Sequence, residues 1–352
     1  VGIGGPHREH GSVPLVGHLA LPTFAEMRAA GQDVLTLEQA LRQDIRELHV
    51  GFLNMMPDAA LRSTERQFFQ LLGSCNQIAQ VYVHPFTIPG LTRSSETQQY
   101  LDTSYERFED LRASGLDALI ITGANVATPN LVSEPLWKPL QEVIAWASQE
   151  VTSVLCSCLA THALLKSLYG IDRRPLTSKR WGVYRHRCAR VSHPLLRNIN
   201  TLFDVPHSRH NEVTRQQLEE AGLKVLIESC QGDVHLAVSP DQLRFVFLQG
   251  HPEYDFNSLY KEYKREVLRY QLGQRNDDPP HPENYFEESV AALVRQQPLA
   301  EERIEGELHN TWGDTGKAIF NNWLGLVYRL THLDRKKPFV DGIDPENPLG
   351  LR

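Results

Sequence analysis

The chain has 352 residues, enough to bury a sizeable core in one large domain or two modest ones. Its composition, 41% hydrophobic and 22% charged, argues against disorder, and a formal charge of −7 argues against a polyanion-binding surface, so nucleic acid is not an expected partner. Five cysteines are few and odd in number, which excludes a disulfide framework and makes a reducing, cytoplasmic setting the expectation.

No apolar run approaches the roughly 18 residues that span a bilayer, so no membrane is expected. The first residues, VGIGGPHREHGSVP, lack the basic-then-apolar pattern of a signal peptide. Residues 1–45 read as an extension. Gly and Pro are frequent up to Pro22 and argue for loop; 24–30 and 35–46 read as short helices, the second capped by Thr36 with Gln39 three residues on. A single α/β domain is expected over 46–335, followed by a tail over 336–352.

In that domain an apolar run predicts a strand over 48–53, ending in Asn54-Met55-Met56-Pro57. A helix follows over 63–72, with Phe68, Phe69, Leu71 and Leu72 as its apolar positions. The pattern continues with a strand over 79–84, a loop over 85–97 and a polar-faced helix over 104–114. The run LDALIIT at 116–122 has the unbroken apolar character of a buried parallel strand and ends in Gly123-Ala124-Asn125. A helix over 136–149 and a strand over 151–155 complete the first half. Strand and helix alternate, which predicts a parallel sheet with helices on both faces and ligands outside the carboxyl ends of the strands.

The second half reads differently. Antiparallel strands are expected over 181–190 and 202–205, with Pro206-His207-Ser208-Arg209-His210-Asn211 as a dense polar loop. A helix over 213–221 precedes a meander of strands at 224–229, 234–238 and 243–248. A long amphipathic helix over 258–272, a Pro/Asp/Asn-rich loop over 274–284 and a terminal helix over 318–335 follow.

Two stretches carry chemistry. In VTSVLCSCLATHALLKSLYG, a buried strand turns sharply into a helix at Cys156-Ser157-Cys158. A cysteine at a helix N-terminus has its thiolate favoured by the dipole and free backbone N–H groups beside it. Alone, the pair reads first as small buried hydrophobes, and C-x-C is weak evidence for zinc. The second stretch is Gly250-His251-Pro252-Glu253 at the end of the strand over 243–248. Residues two apart on extended chain point the same way, so Glu253 can orient His251 and raise its basicity. Cysteine, histidine and carboxylate together supply nucleophile, base and orienter, in the order seen in class I glutamine amidotransferases.

Further motifs make the resemblance specific. Leu53-Asn54-Met55-Met56-Pro57, Ile121-Thr122-Gly123-Ala124, Leu168-Tyr169-Gly170-Ile171, Gly182-Val183-Tyr184, Pro206-His207-Ser208-Arg209, Gly250-His251-Pro252-Glu253-Tyr254-Asp255 and Asn321-Asn322-Trp323-Leu324 occur in family order over about 48–330. By these the chain resembles the homoserine O-acyltransferases usually called the homoserine O-succinyltransferase family. The resemblance implies a flavodoxin-like, class I glutamine amidotransferase-like three-layer α/β sandwich with a mostly parallel central sheet. It implies Cys158, not Cys156, as nucleophile, His251 as base and Glu253 as its support. It implies Lys179, Ser208 and Arg265 as substrate contacts, with Glu262 on the helix of Arg265, where one side chain suits a carboxylate and the other an ammonium.

The activity so implied is ping-pong transfer of an acyl group from succinyl-CoA to L-homoserine, for methionine biosynthesis, in a homodimer. No metal or bound cofactor is implied. Two departures stand out. The family's two lysines after Met-Pro are replaced by Asp58-Ala59-Ala60-Leu61-Arg62, which leaves Arg62 or backbone N–H groups near Leu159 for the oxyanion. Asn125-Val126-Ala127 replaces the family's usual tripeptide; its third position goes with succinyl when glycine and acetyl when glutamate, so the small, uncharged Ala127 points to succinyl. Acetyl-CoA as donor, L-serine as acceptor, a glutaminase-like amidohydrolase and a regulatory binding protein stay as alternatives.

Overall fold

The computed structural model describes residues 15–42, 45–75, 79–189, 192–295 and 300–351. Strands β1 (Val16–Gly17) and β2 (Leu35–Thr36) form a small parallel pair. The main sheet is built from β3 (Glu47–Leu53), β4 (Gln80–Phe86), β5 (Ala118–Ile121), β6 (Ser153–Ser157), β7 (Arg174–Cys188), β8 (Leu202–Glu212), β9 (Lys224–Ser229), β10 (Val234–Val238) and β11 (Phe245–Leu248). Its order is β4-β3-β5-β6-β11-β10-β9-β7-β8. Every pairing from β4 to β11 is parallel, and every pairing from β11 to β8 is antiparallel. The sheet is thus mixed, with its parallel half built from the strand–helix alternation of the N-terminal part.

Two apolar clusters cover the faces of that half. On β5, Ala118 and Ile120 join one with Phe68, Phe69 and Trp323, whereas Leu119 and Ile121 join the other with Trp146 and Leu164. Alternate side chains of a strand point to opposite faces, so a continuous apolar run is what a strand covered on both sides requires. The helices Asp58–Gly73 and Gly313–Leu330 form one outer layer, and Trp137–Glu150 and Leu159–Tyr169 the other. A third cluster, around Trp181, Tyr260, Tyr263 and Trp312, seats the helix Ser258–Gln271 against β7.

The extension packs onto the edge strand. Leu15 bridges Val81 of β4, and Leu15, Phe24 and Met27 join the cluster of Phe52 and Phe69. The Thr36–Gln39 capping box forms, opening the helix Leu37–Leu41.

Two segments differ from the sequence expectation. The loop expected over 85–97 and the helix over 104–114 are two helices, Ser95–Ser104 and Phe108–Ser114, the first capped by the Ser94 hydroxyl. The polar loop expected over 206–211 is strand β8. Phe203, Val205, His207 and Arg209 are buried in alternation there, with hydrogen bonds taking over where apolar side chains stop.

Candidate active site

The end of β6 is a turn of one residue. Ser157 closes the strand, Leu159 opens a helix, and Cys158 between them has φ 51° and ψ −113°. A side chain is disfavoured in that region, so the neighbouring elements hold the conformation in place. The Cys158 N–H donates to the Leu248 carbonyl at 2.9 Å, and the Thr161 hydroxyl donates to the same oxygen at 2.7 Å. The turn lifts the Cys158 thiol into partial exposure, while Cys156, two residues back, is fully buried. Burial pushes the Cys156 thiol well up, which makes it a poor nucleophile. A Cβ on Gly123 would sit 3.5 Å from that of Cys158 and 3.8 Å from the Leu159 nitrogen. The glycine therefore keeps space open beside the first free N–H of the helix.

The adjacent strand, β11, delivers the partner side chains. After Leu248 the chain squeezes through Gly250, where a Cβ would lie 2.7 Å from Val205, 2.8 Å from His235 and 2.9 Å from His207. The Gly250 N–H donates to His235 Nδ1 at 3.1 Å, and the His251 N–H to the Pro206 carbonyl at 2.8 Å. His251 Nδ1 lies 2.8 Å from Glu253 Oε1, with both side chains buried. The ring also hydrogen-bonds Cys158. Burial works against charge on His251, but the Glu253 carboxylate and the Cys158 sulfur outweigh it and raise the imidazole well above its usual range. Tyr254 stacks on the imidazole at 4.4 Å between centroids.

Behind this loop lie His186, His207 and His235, all kept neutral by burial. Arg209 holds the group together, donating to His207 Nδ1 at 3.1 Å, to the Asn211 carbonyl at 2.9 Å and to Asp233 at 2.9 Å. Sequence reading placed His186 and His235 on strands but His207 and Arg209 in a loop. Their role as the rigid backing of the His251 turn is visible only once β8 is paired.

Most of the other expected residues gather beside this centre. The Ser208 hydroxyl donates to Glu262 Oε1 at 2.6 Å, and the Tyr254 hydroxyl also bonds Glu262. Glu262 Oε2 is buried without a hydrogen-bond partner. Lys179 lies over the Trp181 ring at 4.2 Å; burial lowers its ammonium, and Glu262 counters. Arg265, one turn beyond Glu262, is exposed. Ala127 is exposed on the loop after β5.

Arg62 does not reach the site: it pairs with Glu26 and stacks on Tyr100 at 4.7 Å. The Met56 turn is held instead by Arg93, which donates to the Met56 carbonyl and also pairs with Asp58 at 3.4 Å. Arg173, in the segment leading into β7, was not singled out by sequence reading. It is half-buried, interacts electrostatically with Cys158 and Glu134, and has Nε buried without a hydrogen-bond partner. Glu134 in turn accepts from the Thr128 N–H at 2.7 Å and hydroxyl at 2.8 Å, and from the Ala127 N–H. These bonds and Arg173 outweigh desolvation and hold its carboxyl below the usual range. No local pattern marks Arg173, since a basic residue in a turn is usually only solvated.

A family model described as Homoserine O-succinyltransferase matches residues 14–333. A Homoserine O-succinyltransferase of Methylobacter tundripaludum is 55% identical over 354 residues, covering 96% of this chain and 100% of the relative. One from Nitrosococcus oceani is 56% identical over 355 residues, covering 97% and 99%. Among solved structures, a glutamine amido transferase from Methylobacillus Flagellatus superposes with a TM-score of 0.44 at 12% identity, over 80% of this chain and 95% of that one.

Proposed function

Because the chain belongs to the homoserine O-succinyltransferase family, we propose that it moves a succinyl group from succinyl-CoA to the hydroxyl of L-homoserine through an acyl-Cys158 intermediate. The observation that carries this reading is the Cys158–His251–Glu253 alignment at the ends of two neighbouring parallel strands. His251, held by Glu253, takes the thiol proton. The Cys158 thiolate then adds to the thioester carbonyl, and the oxyanion is met by the Leu159 N–H at the helix N-terminus. Collapse expels the thiolate of CoA, which receives the proton from His251. In the second half-reaction His251 takes the proton of the homoserine hydroxyl, the oxygen adds to the acyl-cysteine, and Cys158 leaves as thiolate.

The side chains around the centre fit the two substrates. Glu262 Oε2, buried with a free lone pair, suits the homoserine ammonium, and Arg265 its carboxylate. Ser208 fixes the Glu262 carboxylate. Arg173, a cation near Cys158 with an unused donor, suits the distal carboxylate of the succinyl group. A cleft of about 750 Å³ has Lys179, Trp181, His210, Arg269 and Arg275 in its lining beside the carboxylates of Glu266, Asp277 and Glu283; Glu266 pairs with both arginines, so Lys179, over the Trp181 ring, is the cation that suits the phosphates of CoA, and the aromatic lining suits its adenine. O-Succinyl-L-homoserine would then feed methionine biosynthesis. No helix among the described residues is long and apolar enough to cross a membrane. A cytoplasmic homodimer is part of the same proposal.

A second reading has acetyl-CoA as donor. Glu134, bonded to the Ala127 N–H, puts a negative charge at the position tied to acyl choice. Intact-protein mass spectrometry after mixing with each acyl-CoA tests both. A succinyl adduct on Cys158, discharged by homoserine, is the expected result. An adduct from acetyl-CoA alone selects the second reading, and no adduct from either donor refutes acyl transfer.

A further inference from the structure

We propose that the extension is fastened to the edge of the sheet by a zinc ion held by His18, His84 and Glu106. Donor atoms of these three side chains lie within 4.8 Å of one another, close enough to converge on one ion after small side-chain adjustments. His18 comes from the extension, His84 from the edge strand β4, and Glu106 from the turn between the helices Ser95–Ser104 and Phe108–Ser114. None of them belongs to the site around Cys158, which lies three strands away along the sheet.

The argument is one of proton counting. Four side chains form a line: Glu106 Oε2 is 2.7 Å from His84 Nδ1, His84 Nε2 is 2.7 Å from His49 Nδ1, and His49 Nε2 is 3.0 Å from Glu47 Oε2. Each contact joins two atoms that accept hydrogen bonds unless one carries a proton, so three protons are needed. Two neutral imidazoles supply two. The line lacks one positive charge. A metal ion between His84 Nδ1 and Glu106 provides it, because both imidazoles then donate away from the metal, His84 to His49 and His49 to Glu47. Metal-bound histidines are oriented by such outer acceptors.

His18 makes the case for a metal over an extra proton. Its Nδ1 lies 3.3 Å from the Val16 carbonyl, which accepts the N–H. Its Nε2 is buried with no hydrogen-bond partner, which leaves a lone pair unused. A third proton in the line would leave that nitrogen unused, whereas a metal takes it as a third ligand. Two imidazole nitrogens and one carboxylate oxygen, with a fourth position open to water, are a donor set that suits Zn²⁺. The bound ion would add a cross-link between residues 15–42 and the edge strand that they already meet at the Leu15–Val81 bridge.

The test is calorimetric titration of the metal-free full chain with Zn²⁺, alongside thermal unfolding with and without it. One equivalent should bind, and saturating Zn²⁺ should raise Tm by about 3 °C. His18→Gln and Glu106→Gln should each weaken binding by at least ~30-fold, while His309→Gln, at an exposed histidine elsewhere, should leave it unchanged. If His18→Gln fails to fold by circular dichroism, Glu106→Gln decides, since the Glu106 side chain is 26% exposed and its loss leaves no core cavity. No zinc uptake, or uptake that survives the folded variants because it occurs at cysteines, overturns the proposal.

Discussion

The two halves of the sheet hold their side chains in different ways. The parallel half ends in backbone turns, and the two residues at the centre of the proposed reaction sit on those turns: Cys158 after β6 and His251 after β11. Their positions are fixed by main-chain bonds, from Cys158 to Leu248 and from His251 to Pro206. The antiparallel half and the helix packed on it present instead the side chains proposed to recognise substrate, Lys179, Ser208 and Glu262, on β7, β8 and Ser258–Gln271. Rate should therefore be most sensitive to changes at the seam between the halves. Selectivity should be most sensitive to changes in the side chains around it.

The largest effect is expected at the nucleophile. Cys158→Ala should cut turnover by on the order of 10⁴-fold or more and abolish the acyl adduct, while Cys156→Ser should stay within about twofold of the parent. Equal losses at the two cysteines would erase the distinction between the exposed turn and the buried strand. Glu253→Gln should lower kcat/KM by about 10²- to 10³-fold. Removing the carboxylate also removes a charge that raises His251, so its imidazolium should lose its proton at lower pH. The His251 ring signals followed by NMR against pH should show that shift; an unmoved titration would deny Glu253 its part.

Away from the seam the effects should be selective. Arg173→Gln should reduce kcat/KM with succinyl-CoA by about 10- to 100-fold, the worth of one charge-assisted hydrogen bond, and leave acetyl-CoA within about threefold. An equal loss with both donors would make Arg173 a general support for the thiolate. Back at the seam, a further change is read as stability. Gly250→Ala forces a methyl group against Val205, His207 and His235 and should destabilise the fold by about 1–3 kcal/mol, read from the urea midpoint.

Sequence reading was sharpest where one physical rule governed. Continuous apolar runs gave β3, β5 and β6 because those strands are covered on both faces. His251 and Glu253 were legible as a pair from their spacing, although the chain that brings them together is a turn closed by the Tyr254 N–H on the His251 carbonyl, not the extended segment expected. Strand β8 was legible over 202–205 and missed beyond it because its buried side chains turn polar at His207, and apolar alternation is no guide once hydrogen bonds satisfy the interior. The helix Ser95–Ser104 was missed because only Leu101 on it is buried, so no amphipathic stripe marks it. Arg173 and Glu134 come together with Cys158 only after the strand order is fixed, which no local pattern encodes.

The one-residue turn at Cys158 has a consequence for evolution and for protein engineering. At φ 51° and ψ −113° a side chain is held against its preference, a cost of about 1–3 kcal/mol that glycine would not incur. Cys158→Gly should accordingly yield a chain that is inert yet melts at a higher temperature. Selection for robustness alone would drift toward that glycine; keeping cysteine there reflects the opposing pull of activity, and schemes that rank substitutions by stability should exempt this position.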